Sequence, residues 1–375
     1  MRIYLTITAI LLWIAVSCSS SGEQNKRLSG TNSYAKGFIT EKFDDYTKLT
    51  VLDPWVKAEN VVFEYFLFNQ DASIPGSAAG RNIIRTPVKR VVCLSTTHLA
   101  FLDALNEGRS VVGISGGRYI NNREIRNRFE AGQICDVGYG QNLNYELLVS
   151  RQPDLVIIYG IGSEIIANVH KLNELGVPVI IVAEYLEESP LGKAEWIKFA
   201  GCLFEKEDIA EDLFNHIEGE YLKLKELTAE ADGKPKVLTG SSYNGSWWVP
   251  GGNSYMANII EDAGGHYLGG NNNSRESYVI SFEHALIWGN EADIWINMGN
   301  MSSKKEIVAS DERLASLKVF QEGRIYNNIN KLSPHGGNDF WESGTVNPHK
   351  VLSDLIAIFH PELLNGEMTY YKEIR

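Results

Sequence analysis

Leu143-Asn144-Tyr145-Glu146-Leu147-Leu148 runs into Pro153-Asp154-Leu155-Val156-Ile157-Ile158-Tyr159-Gly160, and in the other half Ile280-Ser281-Phe282-Glu283-His284-Ala285-Leu286 runs into Asp293-Ile294-Trp295-Ile296-Asn297-Met298-Gly299. The two passages have the same plan. A capping residue, Asn144 or Ser281, precedes a glutamate in the first helical turn, where the helix dipole favours negative charge, and a short apolar run then stops at glycine. Each reads as a helix feeding a buried strand. The repeat implies two α/β lobes with a cleft between them.

Working outward from the first passage, strands are expected at 90–94, 111–114, 155–159 and 177–182, with helices at 98–105, 144–152 and 164–175. Around the second, strands at 236–239, 293–297 and 324–327 accompany helices at 254–262, 282–287, 303–317 and 351–359. Strands without polar alternation, separated by helices, indicate parallel sheets covered on both faces. Between the lobes, 205–230 places Ile209, Leu213, Ile217, Tyr221, Leu224 and Leu227 at spacings of three and four. This predicts one long helix of about 39 Å at 1.5 Å per residue, with Pro235 beyond its end. The lobes then occupy 87–190 and 232–375, with linker helices at 191–231. Ahead of them, Leu49-Thr50-Val51-Leu52 and Val61 to Phe68, flanking Asp53-Pro54-Trp55, suit a hairpin-like extension over 37–86.

The 375 residues suffice for two cores, and a formal charge of −12 excludes non-specific nucleic-acid binding, which needs a basic surface. Met1-Arg2 and the apolar stretch to Val16 read as a secretory signal that is too short to span a membrane. Its end, Ala15-Val16-Ser17-Cys18, resembles a bacterial lipobox, so that 1–18 is a lipoprotein signal with Cys18 as the lipidated residue. Residues 19–36 follow as a polar, flexible tether. Cys93, Cys135 and Cys202 read as packing residues, a Cys93–Cys135 disulfide being the alternative.

Arg90-Val91-Val92-Cys93-Leu94 with Ser95-Thr96-Thr97-His98, Val112-Gly113-Ile114-Ser115, Asp136-Val137-Gly138, Pro153-Asp154-Leu155-Val156 and Ile259-Ile260-Glu261-Asp262-Ala263-Gly264-Gly265 resemble, in order and spacing, the iron-chelate and vitamin B12 class of periplasmic binding proteins. Gly336-Gly337-Asn338-Asp339-Phe340-Trp341-Glu342-Ser343-Gly344 resembles bacteroidete members of that class. The resemblance implies two Rossmann-like lobes joined by a single long helix. It also implies a non-catalytic, monomeric receptor, lipid-anchored in the periplasm of a Gram-negative-type envelope, that delivers an iron(III) chelate to an ABC permease and its ATPase. Cobalamin or haem is the alternative ligand, and no cofactor is expected. One glutamate per lobe meets the permease in this class; the matching positions are Glu261 and, in preference to Glu124, Glu130.

Ligands in such a fold lie where loops leave the C-terminal ends of parallel strands. Aromatic and polar residues at those positions are Thr97, His98, Tyr119, Tyr139 and Tyr159 in the first lobe and Tyr243, Trp247, Trp248, Arg275 and Trp341 in the second. Tryptophan and tyrosine offer rigid apolar faces with a polar edge, and Arg118 and Arg275 are the candidates for countering an anionic chelate. Two rival classes follow from other motifs. Gly113-Ile114-Ser115-Gly116-Gly117 matches a hydrolase nucleophile pattern, although the residues after Ser115 read as loop. His98, His266, His284 and His335 could in principle hold bare zinc or manganese, although none belongs to a ligand pair.

Overall fold

The lobe nearer the N-terminus is built on five parallel strands, and their order, Val179–Ile181, Leu155–Ile158, Val91–Cys93, Val111–Ile114, Cys135–Asp136, reverses direction between Val91–Cys93 and Leu155–Ile158. A computed structural model describes residues 28–375 except 31, 79, 244 and 245. The expected signal segment, Cys18 and most of the tether lie outside the described residues. Four of these strands are apolar throughout because helices cover both faces, while the short edge strand Cys135–Asp136 ends in an exposed aspartate. The second lobe repeats the plan with Lys236–Thr239, Ile294–Ile296 and Arg324–Asn327 in parallel, flanked by His266–Tyr267 on one edge and antiparallel Lys372–Glu373 on the other.

The long helix is Glu207–Leu227, 21 residues, about 32 Å at 1.5 Å per residue. Its buried stripe is Ala210, Phe214, Ile217 and Tyr221, whereas Ile209 and Leu227 are exposed. It packs between Pro190–Leu203 and Pro348–Phe359. One apolar cluster runs from Val91 and Cys93 through Phe199, Phe214 and Tyr221 to Ile294, Ile296 and Ile356, so the two sheets share a continuous core along this helical spine. Such a spine resists bending. Where one helix was expected at 303–317, Lys304–Ser310 stops and a 3-10 turn, Glu312–Ser316, follows.

In place of a hairpin, the extension contributes Phe38–Lys42, Thr47–Leu52, Val62–Asn69 and Asn82–Thr86 to a five-stranded sheet whose edge strand, Leu28–Gly30, comes from the stretch expected as tether. Phe38 is wedged against Trp196, with ring centres 4.8 Å apart. The end of the expected tether is also fixed. The amides of Ser33, Tyr34 and Ala35 donate to the buried Glu195 carboxylate at 2.8–2.9 Å, and those of Lys36 and Gly37 donate to Glu187. Cys93, Cys135 and Cys202 are buried free thiols, which removes the disulfide alternative. Among the described residues no helix is long and apolar enough to cross a membrane.

Candidate functional site

Strand reversal in a parallel sheet leaves a crevice at the strands' C-terminal ends, because successive loops turn to opposite faces. In this molecule that crevice opens toward the second lobe as a cavity of about 510 Å³. Thr97, Ile161 and the Glu184–Leu186 turn line it from the first lobe, Ser254, Tyr255 and Met256 with Arg275 and Trp341 from the second, and Lys193 from the spine. Val56, from the extension, closes one side, and its amide donates to the Ile161 carbonyl at 3.1 Å. Trp341 is 54% exposed, a large apolar face turned into open space.

Of the residues expected from sequence, Thr97, Arg275 and Trp341 meet in this cavity. Tyr139 and Tyr159 lie beside it in a smaller hollow of about 90 Å³ that shares Ile161, with their hydroxyls 3.3 Å apart. Burial raises the Tyr159 phenol well above its usual range, with the Tyr139 hydroxyl adding to the shift. His98 does not reach the cleft. It is buried edge-on against Tyr159, neither ring nitrogen has a partner among the described residues, and burial drives its pKa down to about 3. Arg118 stacks on its neighbour Tyr119 and hydrogen-bonds the Tyr119 hydroxyl, so neither joins the cavity wall.

The tryptophan pair divides. Ser246–Val249 is a strand of a small antiparallel sheet with Ser242–Tyr243 and Tyr278–Ile280, so alternate residues face opposite sides. Trp247 is core, stacked on Trp295 with its indole N–H donating to the Thr239 carbonyl at 3.0 Å, and Trp248 is exposed on the outer face. The side chain of Tyr243 lies outside the described residues. Glu261 and Glu130 are both exposed, near Lys234 (3.8 Å) and Arg126 (3.9 Å) respectively.

Sequence reasoning missed Glu184 and Lys193. Glu184 is 3% exposed; the nearby amides of Glu184 and Tyr185 favour its charged form, yet among the described residues its Oε2 has no hydrogen-bond partner. Burial raises its pKa, opposed by the field of Lys193. The Lys193 ammonium lies 5.1 Å from the Tyr255 ring centre, and burial lowers its pKa. A signal was available: Glu184 follows the apolar strand Val179–Ile181 by three residues, at the strand end that faces the crevice.

The rival chemistries find no support in the geometry. The Ser115 hydroxyl donates to the Gly138 carbonyl at 2.6 Å and not to an imidazole, and a 3-10 turn, Gly117–Tyr119, follows it in place of a helix. His266, His284 and His335 are exposed while His98 is enclosed. Among the described residues no three His, Cys, Asp or Glu side chains gather to hold a metal ion.

The lobes also touch directly. Glu342 reaches across the boundary and accepts the amides of Asn121 and Asn122 at 2.8 and 2.6 Å. Gly337 allows this approach, since a Cβ there would sit 1.8 Å from the Tyr119 carbonyl oxygen.

With this geometry in place, comparison with known proteins gives consistent matches. A family model described as periplasmic binding protein matches residues 91–328. An uncharacterised lipoprotein of Methanocaldococcus jannaschii is 28% identical over 324 residues, covering 82% of this chain and 75% of the relative. Among solved structures, a periplasmic heme binding protein from Pseudomonas aeruginosa aligns with TM-score 0.59 at 17% identity, over 77% of this chain and 98% of that one. The periplasmic vitamin B12 binding protein of Vibrio cholerae aligns with TM-score 0.52 at 13% identity, over 72% and 96%. The extension sheet precedes the matched family region.

Proposed function

Because the chain belongs to the periplasmic binding protein family, a family of solute-binding proteins, we propose that its interlobe cleft captures a bulky metal chelate outside the cytoplasm and delivers it to the permease of an ABC importer. An iron(III) siderophore complex is the first reading. The observation that carries it is the cavity of about 510 Å³ walled by both lobes, within the range of small-molecule sites and faced by Trp341, Tyr185 and Tyr255. Charge in the cleft is close to balanced, with Lys193 and Arg275 against Glu184, Glu187 and Glu276. That balance suits a chelate of low net charge better than a polyanionic one, and it keeps cobalamin as the second reading. Lipid anchoring through Cys18 and docking through Glu130 and Glu261 belong to the same proposal.

Titration of tryptophan fluorescence with ferrichrome, ferric enterobactin, haemin and cyanocobalamin tests this. Saturable quenching by one chelate, at micromolar affinity or better and weakened at least tenfold in Trp341→Ala, is expected. Absence of saturation with all four would overturn the reading. Glu261→Lys should leave that affinity unchanged and lower uptake of the same chelate by cells; undiminished uptake removes Glu261 from the docking surface.

A further inference from the structure

Two polar groups in the cleft lack partners of complementary kind. Among the described residues Glu184 Oε2 is an acceptor with no donor, and the amides of its own turn favour the charged form of its carboxylate. The Lys193 ammonium is a donor that touches the face of Tyr255 and acts on Glu184 through the field without closing an ion pair. Both line the same cavity. An unpaired buried acceptor costs stability, and native structures retain such groups chiefly where water or a ligand completes them; Lys193, half-buried, is the donor nearest in kind on the same wall. Every other buried glutamate facing this region is complete: Glu187 takes Lys36 N, Gly37 N and the Trp196 indole N–H, the last at 3.0 Å.

We infer that Glu184 and Lys193 form a recognition pair for a chelate whose periphery carries amides, with an amide N–H donating to Glu184 Oε2 and an amide carbonyl accepting from Lys193 Nζ. An amide supplies both groups, which neither a bare carboxylate rim nor an apolar ring edge does. Trp341 and Tyr185, on the same cavity, give the apolar body of such a ligand its flat contacts. This inference rests on the chelate-binding reading above and narrows it. Two sources share the chemistry, the peptide backbone of a ferric hydroxamate and the carboxamide arms of a corrinoid.

The test uses calorimetric titration of the full chain with ferrichrome and cyanocobalamin as amide-bearing probes, and with ferric citrate and haemin as probes without amide N–H groups. Glu184→Gln replaces the carboxylate by an amide that can present a donor where the oxygen is unpaired; Lys193→Met removes the ammonium at similar volume. Tighter binding of ferrichrome or cyanocobalamin than of the other two, reduced at least tenfold in each variant, supports the pair, and which of the two binds assigns the source. Lys193→Met keeps the test decisive should Glu184→Gln fold poorly. Amide-bearing binding that survives both substitutions overturns the recognition pair alone, and a preference for haemin or ferric citrate does the same. Failure of all four probes to bind overturns it together with the chelate reading.

Discussion

Trp341 and Glu342 are consecutive, yet one faces the cleft and the other the closed edge of the lobe boundary, and the carboxylates on these two sides are treated differently. At the closed edge both Glu342 oxygens accept amides from the opposite lobe. Behind the cleft, Glu195 takes three amides of the N-terminal segment, with the Lys198 ammonium at 3.3 Å. In the open cleft, Glu184 keeps an oxygen to which nothing donates. A buried carboxylate surrounded by donors holds the fold together, because its hydrogen bonds offset the loss of hydration. One left incomplete in the wall of a cavity is, on the proposal above, kept for the ligand.

This contrast predicts effects of opposite sign. Glu195→Ala should be the most damaging: it strands the Ser33, Tyr34 and Ala35 amides and removes the carboxylate beside Lys198, so about 3–5 kcal/mol of stability should be lost. Urea unfolding, with faster hydrogen exchange at 33–37, would register it; a loss under about 1 kcal/mol would show that the clamp is incidental.

Glu342→Gln should cost less, about 1–3 kcal/mol, since one of the two bonded amides then faces a donor. It should also change the pH profile. Burial raises the Glu342 carboxyl to about 7, with Asp339 and Asp103 adding repulsion and the Asn121 and Asn122 amides opposing the shift. Lys331 also lies at this junction, 3.9 Å from Asp339. A folded value above the ordinary 4.5 means that this carboxyl's contribution is complete below about pH 4.5 and is lost as pH rises through about 7. Between pH 5 and 8 the unaltered protein should therefore lose more stability than Glu342→Gln does, and parallel profiles would refute the assignment.

Much of the fold is legible in the chain because it is written in local chemistry. The Asn144 side chain does accept the Leu147 amide, at 2.9 Å, and Ser281 accepts that of His284, at 3.2 Å. The long helix is shorter than the 205–230 expected and its face is only partly legible: Ile217 and Tyr221 are buried and Leu213 and Leu224 pack against the core, while Ala210 and Phe214 complete the stripe and Ile209 and Leu227 stay exposed. The extension exceeds a hairpin because Asn82–Thr86, a strand with polar residues, pairs in parallel with Val62–Asn69, and because Leu28–Gly30, inside the stretch read as tether, adds an edge strand. Trp247 stands among the strand-end aromatics in the sequence, although alternation through Ser246–Val249 puts it on the same face as Val249. Thr97, Arg275 and Trp341 follow from strand-end positions, whereas Glu184 and Lys193 look like ordinary solvated charges until burial is known.

The smallest effect is the most discriminating. Glu184→Gln keeps an oxygen for the amides of the 184–185 turn and removes a charge that burial disfavours, so stability should stay level or rise by up to about 1 kcal/mol, against the losses at Glu195 and Glu342. The sign of its pH dependence follows from the same shift. Because the folded carboxyl is raised, its contribution to stability is present at low pH and lost as pH rises, and glutamine escapes that loss. The gain should accordingly be larger at pH 8 than at pH 5. A variant that loses several kcal/mol would place Glu184 with the structural carboxylates. A stable variant with a weakened cleft would show that the unpaired oxygen is kept for binding at the expense of stability.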